Sequence, residues 1–370
     1  MSRFSFGLAE EADDMSLRDI LRVTPMNGSI RIIFLREPNV FQSIGILGRL
    51  SQVIVAREKD SSNIAGFGIR TIREAFVNGG AQQIGYLSSL RSLERFRGSP
   101  LLARGYRYLK YLHQDRKTPL YLTTIIDGNS LALRNLIGGR AGLPQYRFMG
   151  EYLTFALDIR KNFGGSRTSG LEIVKGSNEN IHEIIGFVNE SNVRKQFAPF
   201  YRPEEIVAGA PFYRGLKLED FYVGYIGSSI VGVVAKWDQC SFKQTVVSGY
   251  GMPLSLLRPV LNTASYIVKR PSLPKAGEEI RSFYAGFMAI KDDSKDILSA
   301  LLQRICDDNR DNGYACALFG LHSQDRLAKA FKGRTCIKYL SRLYAVHWED
   351  GEHFFHALDG RTPFLELATL

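Results

Sequence analysis

The residues best placed to do chemistry are Arg95, Phe96, Arg97, Gly98, Ser99 and Pro100, a basic, glycine-containing turn between a strand-like run and a helix. Amide groups at a helix start have no intrahelical acceptor and lie at the positive end of the helix dipole, so such a turn suits a phosphate. Pro100 fits a first helical turn, where its missing N–H costs nothing in helix pairing, and it offers no donor to an anion. Apolar residues then recur at Leu101, Leu102, Gly105, Tyr108, Leu109 and Leu112, with Arg104, Arg107 and Lys110 on the opposite face. That is helical spacing. Between Arg91 and Lys117 eight basic residues face two acidic ones, so more than half of the chain's net charge of +11 lies in one segment. A polyanion is drawn to such a field.

Other reactive side chains are less well arranged. Cys240, Cys306, Cys316 and Cys336 show no Cys-x-x-Cys spacing, which speaks against a metal or disulfide framework. His353 and His356 form a His-x-x-His beside Glu352 but read as scaffold, so no metal is expected. His113 closes the basic helix, where the negative dipole end favours it.

The elements around the turn follow a definite order. Ser29–Leu35 predicts a strand, Phe41–Leu50 a helix, and Ser51–Glu58, Asn63–Val77 and Gln82–Leu93 three meandering strands. The phosphate helix follows, and then Pro119–Leu136 predicts a further strand and helix.

This arrangement resembles the cofactor motif of the GNAT acetyltransferases, whose fourth strand gives way to an Arg/Gln-x-x-Gly-x-Gly/Ala turn that holds the pyrophosphate of acetyl-CoA. The matching residues are Arg95 to Pro100, with Leu90, Arg91 and Ser92 at the strand end, Leu101 and Leu102 in the helix start, and Asn129 at an Asn-x-x-Ala spacing with Ala132. Pro100 stands where the family prefers Gly or Ala, and Leu136 where many members carry a Tyr that protonates the departing thiolate. The resemblance implies an oxyanion-stabilising main-chain N–H near Leu90 to Ser92. It also leaves Glu74 as the base, because Tyr86, Ser88 and Ser89 on the fourth strand include no acid, and Tyr146 and Tyr152 as groups that reach the thioester.

The order of elements repeats after Arg160–Gly170, a stretch rich in Gly, Ser and basic residues. Leu171–Gly176, a helix near Glu179–Gln196, paired strands over Asp220–Gln239, a strand at Arg281–Ile290, a helix at Lys295–Asn309, Ala315–Ser323 and Leu340–Trp348 repeat the first set. The expectation is an α/β (α+β) fold of two GNAT-like lobes, residues 1–160 and 171–370 with a linker at 161–170. Each lobe is a mixed, largely antiparallel twisted sheet flanked by helices. The second copy offers Lys291, Asp292, Asp293, Ser294, Lys295 and Asp296 where a phosphate turn belongs. Three carboxylates there repel an anionic cofactor, and Ser294 reads as an N-cap.

The resemblance implies an acetyl-CoA-dependent N-acetyltransferase acting on an amine that the sequence does not identify. Two alternatives stand beside it: a non-catalytic CoA-binding or interaction protein on a degenerate fold, and an aminoacyl-tRNA-dependent transferase. Nucleic-acid binding through Phe96, Tyr106 and Tyr111 is a further option. No run approaches the roughly 20 apolar residues of a membrane span, and the acidic start of the chain is unlike a secretory signal. A cytoplasmic location is the default expectation.

Overall fold

The computed structural model describes residues 3–26, 30–96, 98–138, 142–160, 168–252, 274–331 and 336–370. Arg97, most of the expected linker (161–167) and the Pro-containing stretch 253–273 lie outside them.

The chain begins with a strand the sequence reading did not anticipate. β1 (Phe4–Leu8) pairs antiparallel with β3 (Leu50–Glu58) and forms one edge of the main sheet. α1 (Asp14–Val23) follows, presenting Leu17, Ile20 and Leu21 to the core, and its Asp14 carboxylate accepts the Val40 N–H at 2.6 Å. That bond ties down α2 (Val40–Ile44), a shorter helix than expected. The anticipated first strand, β2 (Ile30–Leu35), lies off the main sheet and pairs with β11 (Gln244–Tyr250) from the second half.

β4 (Ile64–Val77), β5 (Gly80–Ser92), α3 (Leu101–His113), β6 (Tyr121–Ile126), α4 (Ser130–Leu136) and β7 (Gln145–Asp158) complete the first half. The second contains β8 (Leu171–Lys175), α5 (Ile181–Asn192), α6 (Pro203–Val207), β9 (Phe221–Ile226) and β10 (Ser229–Trp237). β12 (Ser282–Ile290), α7 (Lys295–Asp308), β13 (Cys316–His322), β14 (Cys336–His347) and α8 (Glu352–His356) follow. Ser294 caps α7 by accepting the Ile297 N–H. His353 and His356 lie on the short helix α8, not on a strand or tail.

Among the described residues twelve strands form one sheet in the order β1-β3-β4-β5-β6-β14-β7-β13-β12-β10-β9-β8. Counted inward from either edge, each half is a mixed, largely antiparallel set whose single parallel step is spanned by a helix: β5 to β6 across α3, and β12 to β13 across α7. At the centre the halves exchange strands. β14 from the second half pairs with β6, while β7 from the first pairs with β13, and β7 and β14 pair with each other. Residues 196–200 add a second tie, with Phe76 and Phe197 exchanging main-chain hydrogen bonds with Ala198 and Phe76.

Helices cover both faces. α1, α2 and α5 pack with Val53, Val55, Ile69, Val223, Val233, Trp237 and Phe287 in a core that both halves share. On the other face α7 buries Leu298, Leu301, Leu302 and Ile305, and α3 buries Tyr106 and Leu109 against Tyr121, Tyr344 and Trp348.

Gly85 permits the β5–β6 step. A Cβ there would stand 2.2 Å from the ring of Tyr121, which is fully buried and fixed by hydrogen bonds to Arg70 and His113. Gly85→Ala is expected to destabilise the protein by about 1–3 kcal/mol, as overpacking does, and urea unfolding followed by circular dichroism measures it.

Candidate acyl-transfer site

The candidate site is built where β5 leaves β6. The two strands pair in parallel only at Gly85 with Tyr121 and Tyr86 with Leu122. Thr123 Oγ1 then donates to the Leu87 carbonyl at 2.8 Å, and the strands part. On its other side β5 stays paired with β4 as far as Ser92, with a register shift that sets Ser89 and Leu90 against Gly68. Ser89 has φ +52°, in the left-handed region, within this bulge. A wedge with main-chain groups along one wall results, and it opens toward the start of α3.

At that end the chain turns through Glu94–Phe96. Phe96 is buried edge-on against Phe4 with ring centroids 5.3 Å apart. Ser99 N–H and Oγ–H both donate to the Phe96 carbonyl, at 3.2 and 2.6 Å, and Gly98 takes φ +79°. No atom lies within 4 Å of where a Gly98 side chain would start. Pro100 is the N-cap of α3 and makes no side-chain cap, so the amides of Leu101, Leu102 and Ala103 point outward without helical acceptors.

The remaining predicted cofactor residues surround this wedge. Arg95 is exposed and lies 3.5 Å from Glu58. Arg91 is enclosed, its Nε buried without a partner, and burial lowers its pKa. Leu90 is 48% exposed at the bulge, and Ser92 closes the β4 pairing. Asn129 caps α4, accepting the Ala132 N–H at 3.1 Å.

The three proposed proton-transfer groups lie apart. Glu74 pairs with Arg202 through two hydrogen bonds of 2.7 and 3.0 Å, and six residues along β4 from Gly68 puts it about 20 Å from the bulge. Tyr152 is 1% exposed and donates to the Leu365 carbonyl at 2.6 Å. Tyr146 shares a hydrogen bond with Tyr106, and burial holds its phenol well above the usual range. Of the three aromatic groups considered for base stacking, Phe96 and Tyr106 are buried and Tyr111 is 63% exposed. Burial raises the Cys240 thiol to about 11 and those of Cys306 and Cys316 to about 12, so none is an activated nucleophile.

Sequence reasoning missed a cavity of about 30 Å³ beside the bulge, between α1, α2, β4, β5 and the final residues of the chain. Arg36, Ser43, Ser88 and Ser89 line it together with Leu21, Val40, Ile44, Leu47, Phe67, Ile69 and Leu370. That volume is enough for one or two waters.

The second half repeats the wedge and fills it. β12 pairs with β13 only from Ser282 to Tyr284, and Phe287 has φ +54° at a register shift against β10. The Phe287 N–H donates to the Glu366 carboxylate at 2.9 Å, and Ala368 N–H and the Tyr201 hydroxyl donate to it at 3.2 and 3.4 Å. Burial raises the Glu366 pKa against these hydrogen bonds.

No protein-family model matches the chain, and no curated protein matches it by sequence. Solved structures do. A GCN5-related N-acetyltransferase from Sphaerobacter thermophilus aligns with a TM-score of 0.56 at 12% identity, covering 100% of this chain and 99% of that one. A second GCN5-related N-acetyltransferase, from Anabaena variabilis, aligns at 0.52 and 10% identity over 93% of this chain and 72% of that one. Saccharomyces cerevisiae N-myristoyltransferase, solved with myristoyl-CoA, aligns at 0.58 and 10% identity over 94% and 79%. The chain therefore has the fold of the GCN5-related N-acetyltransferases along its whole length. Among the described residues no helix is long and apolar enough to cross a membrane, and no three His, Cys, Asp or Glu side chains are grouped to hold a metal ion.

The end of α3 is fixed to the sheet by Arg70, which is fully buried and forms paired hydrogen bonds of 2.7 and 2.8 Å with Asp115. Burial pushes the Asp115 carboxyl up, but the bonds from Arg70 and Lys117 N–H outweigh it and the pKa falls below 3.8. A depressed carboxyl stabilises the fold above its unfolded pKa, and that stability is lost as pH falls through the folded value. Asp115→Asn is expected to cost about 2 kcal/mol at neutral pH, less than a fully enclosed pair because Asp115 keeps contact with water. Denaturation at pH 7 and below pH 3 checks this, since the deficit should shrink in acid.

Proposed function

We propose that this protein is an acyltransferase that takes an acyl group from acyl-CoA, acetyl-CoA in the first instance, and passes it to an amine. The cofactor site is in the first half. The observation that carries this reading is the continuity of the Ser89 bulge, the parted β5–β6 edge and the open Gly98 turn at the head of α3. The turn suits a pyrophosphate: its outward amides and the nearby Arg95 supply donors and charge, and a left-handed glycine keeps side chains away. Pro100 removes one donor from that cradle, so Leu101, Leu102 and Gly98 carry the contact.

When bound, acetyl-CoA supplies an activated acyl carbonyl. The wall of β5 from Ser88 to Ser92 orients it, and main-chain N–H freed by the bulge stabilises negative charge on its oxygen. The second half is assigned no cofactor, because Glu366 fills its wedge and carboxylates occupy its turn.

A second reading is a protein that binds CoA without turnover. It is favoured by the engagement of Glu74, Tyr146 and Tyr152 in other bonds. Assay of acetyl-CoA hydrolysis and of transfer to a panel of amines separates the two.

Isothermal titration with acetyl-CoA and with CoA tests the site itself. Micromolar binding is expected, and Gly98→Val should weaken it at least tenfold. The variant strains φ +79° by about 1–3 kcal/mol yet meets open space, so its circular dichroism should match the parent. Unchanged affinity removes the turn from the site, and absence of binding in the parent removes the proposal.

A further inference from the structure

The β6 wall of the wedge carries a main-chain donor that a side chain of the same strand sets free. In the parallel ladder the Gly85 N–H donates to the Leu120 carbonyl, and the pairs end at Tyr86 with Leu122. One step further along such a ladder the Leu87 carbonyl accepts the Thr124 N–H. Here it accepts the Thr123 hydroxyl instead, at 2.8 Å. The ladder stops one bond short. Main-chain groups alternate sides along a strand, so Leu122 and Thr124 both turn their N–H toward β5, and that of Thr124 meets the parting strands without its ladder acceptor.

Thr124 is held in that position from two sides. Its Oγ1 shares a hydrogen bond of 2.8 Å with the Tyr86 hydroxyl, and Tyr86 is 3% exposed with the Arg73 guanidinium 5.0 Å from its ring centroid. On the opposite edge β14 pairs Leu343 with Thr124. Thr123 and Thr124 are successive residues of a strand, so their hydroxyls leave β6 on opposite faces and bracket the point where β5 and β6 separate. A threonine hydroxyl that takes a main-chain carbonyl competes with regular pairing, as Thr123 does here. Thr124 is half-buried, and a main-chain N–H withdrawn from bulk water is costly unless water or a ligand meets it.

We infer that the Thr124 N–H is a binding group for the acyl donor, taking a carbonyl oxygen of its amide-bearing thioester arm, and that Thr123 is the positioning residue that keeps this donor free. The inference rests on the acyl-transfer reading of this half. CoA carries amide carbonyls along that arm, and the turn that suits its pyrophosphate stands at the mouth of the same wedge, at the head of α3. A single N–H in a fixed direction selects one of those carbonyls and so sets how far the thioester reaches along β5.

Hydrogen exchange of the Thr124 amide tests this, read by NMR on the full chain labelled with nitrogen-15 threonine. In the free protein exchange should be fast, and saturating CoA should slow it by roughly tenfold. Thr123→Val removes the hydroxyl, keeps the branched shape and leaves the Leu87 carbonyl to Thr124, whose amide should then be protected without CoA. In titration calorimetry the same variant should bind acetyl-CoA about fivefold more weakly, near the worth of one hydrogen bond, while Thr123→Ser keeps the parental affinity. A purely structural Thr123 would lower stability and leave Thr124 exchange as it was. Protection of Thr124 in the free parent, CoA binding that leaves its exchange unchanged, or unaltered affinity in Thr123→Val overturns the inference and leaves the acyl-transfer reading standing. If neither CoA nor acetyl-CoA binds the parent, both fall. The parent's own exchange with and without CoA decides the matter if Thr123→Val does not fold.

Discussion

The architecture depends on main-chain pairing at the centre of the sheet, where β14 pairs with β7 from Cys336 to His347 and with β6 from Ser341 to Val346. Without it β6 would present a row of open N–H and C=O groups inside the molecule, and β7 would lose one of its two neighbours. Buried backbone groups need partners, so neither half is a closed unit alone. The candidate wedge inherits this dependence. β6 is one of its walls, and β6 is held in place from behind by a strand of the other half.

From that shared centre the two halves run outward as copies of one backbone device: a short parallel pairing, a bulge in the left-handed region, and a parting of strands. They differ in what occupies the opening. In the second half a carboxylate of the chain itself accepts the bulge N–H. In the first the opening meets a small cavity lined by Arg36, Ser88 and Ser89. The same fold thus holds one wedge closed by a carboxylate of the chain itself and one that opens beside a small cavity.

The first half's turn, helix and strands were legible because their signals are local. Gly98 and Pro100 punctuate the chain, and the apolar spacing from Leu101 to Leu112 is helical whatever surrounds it. β1 was missed because FSFGL is short and sits in a polar, acidic start. β2 was assigned to the wrong sheet because its partner β11 is more than two hundred residues away, and alternation does not name a partner. Site residues fared in the same way. Gly98 and Asn129 declare themselves through turn and cap chemistry, but Glu74 reads as a free acid until Arg202 of the second half is set beside it. Tyr152 reads as a reachable phenol until its hydroxyl meets the Leu365 carbonyl. Arg36 offered no motif at all, since the cavity it lines is closed by elements far apart in the sequence.

The exchange of strands also bears on how the protein comes into being. Arg342 of β14 meets Asp127 at the end of β6 across 215 positions of sequence. During synthesis the first half emerges complete in its own strands yet with the β6 edge open, and it waits for most of the second half before β14 arrives. Pairings of such long range are slow to form and leave a strand edge exposed to other chains meanwhile. The order of emergence therefore makes the nascent first half the stage at which this protein most needs shielding, and fragments cut at the middle of the sequence inherit that open edge permanently.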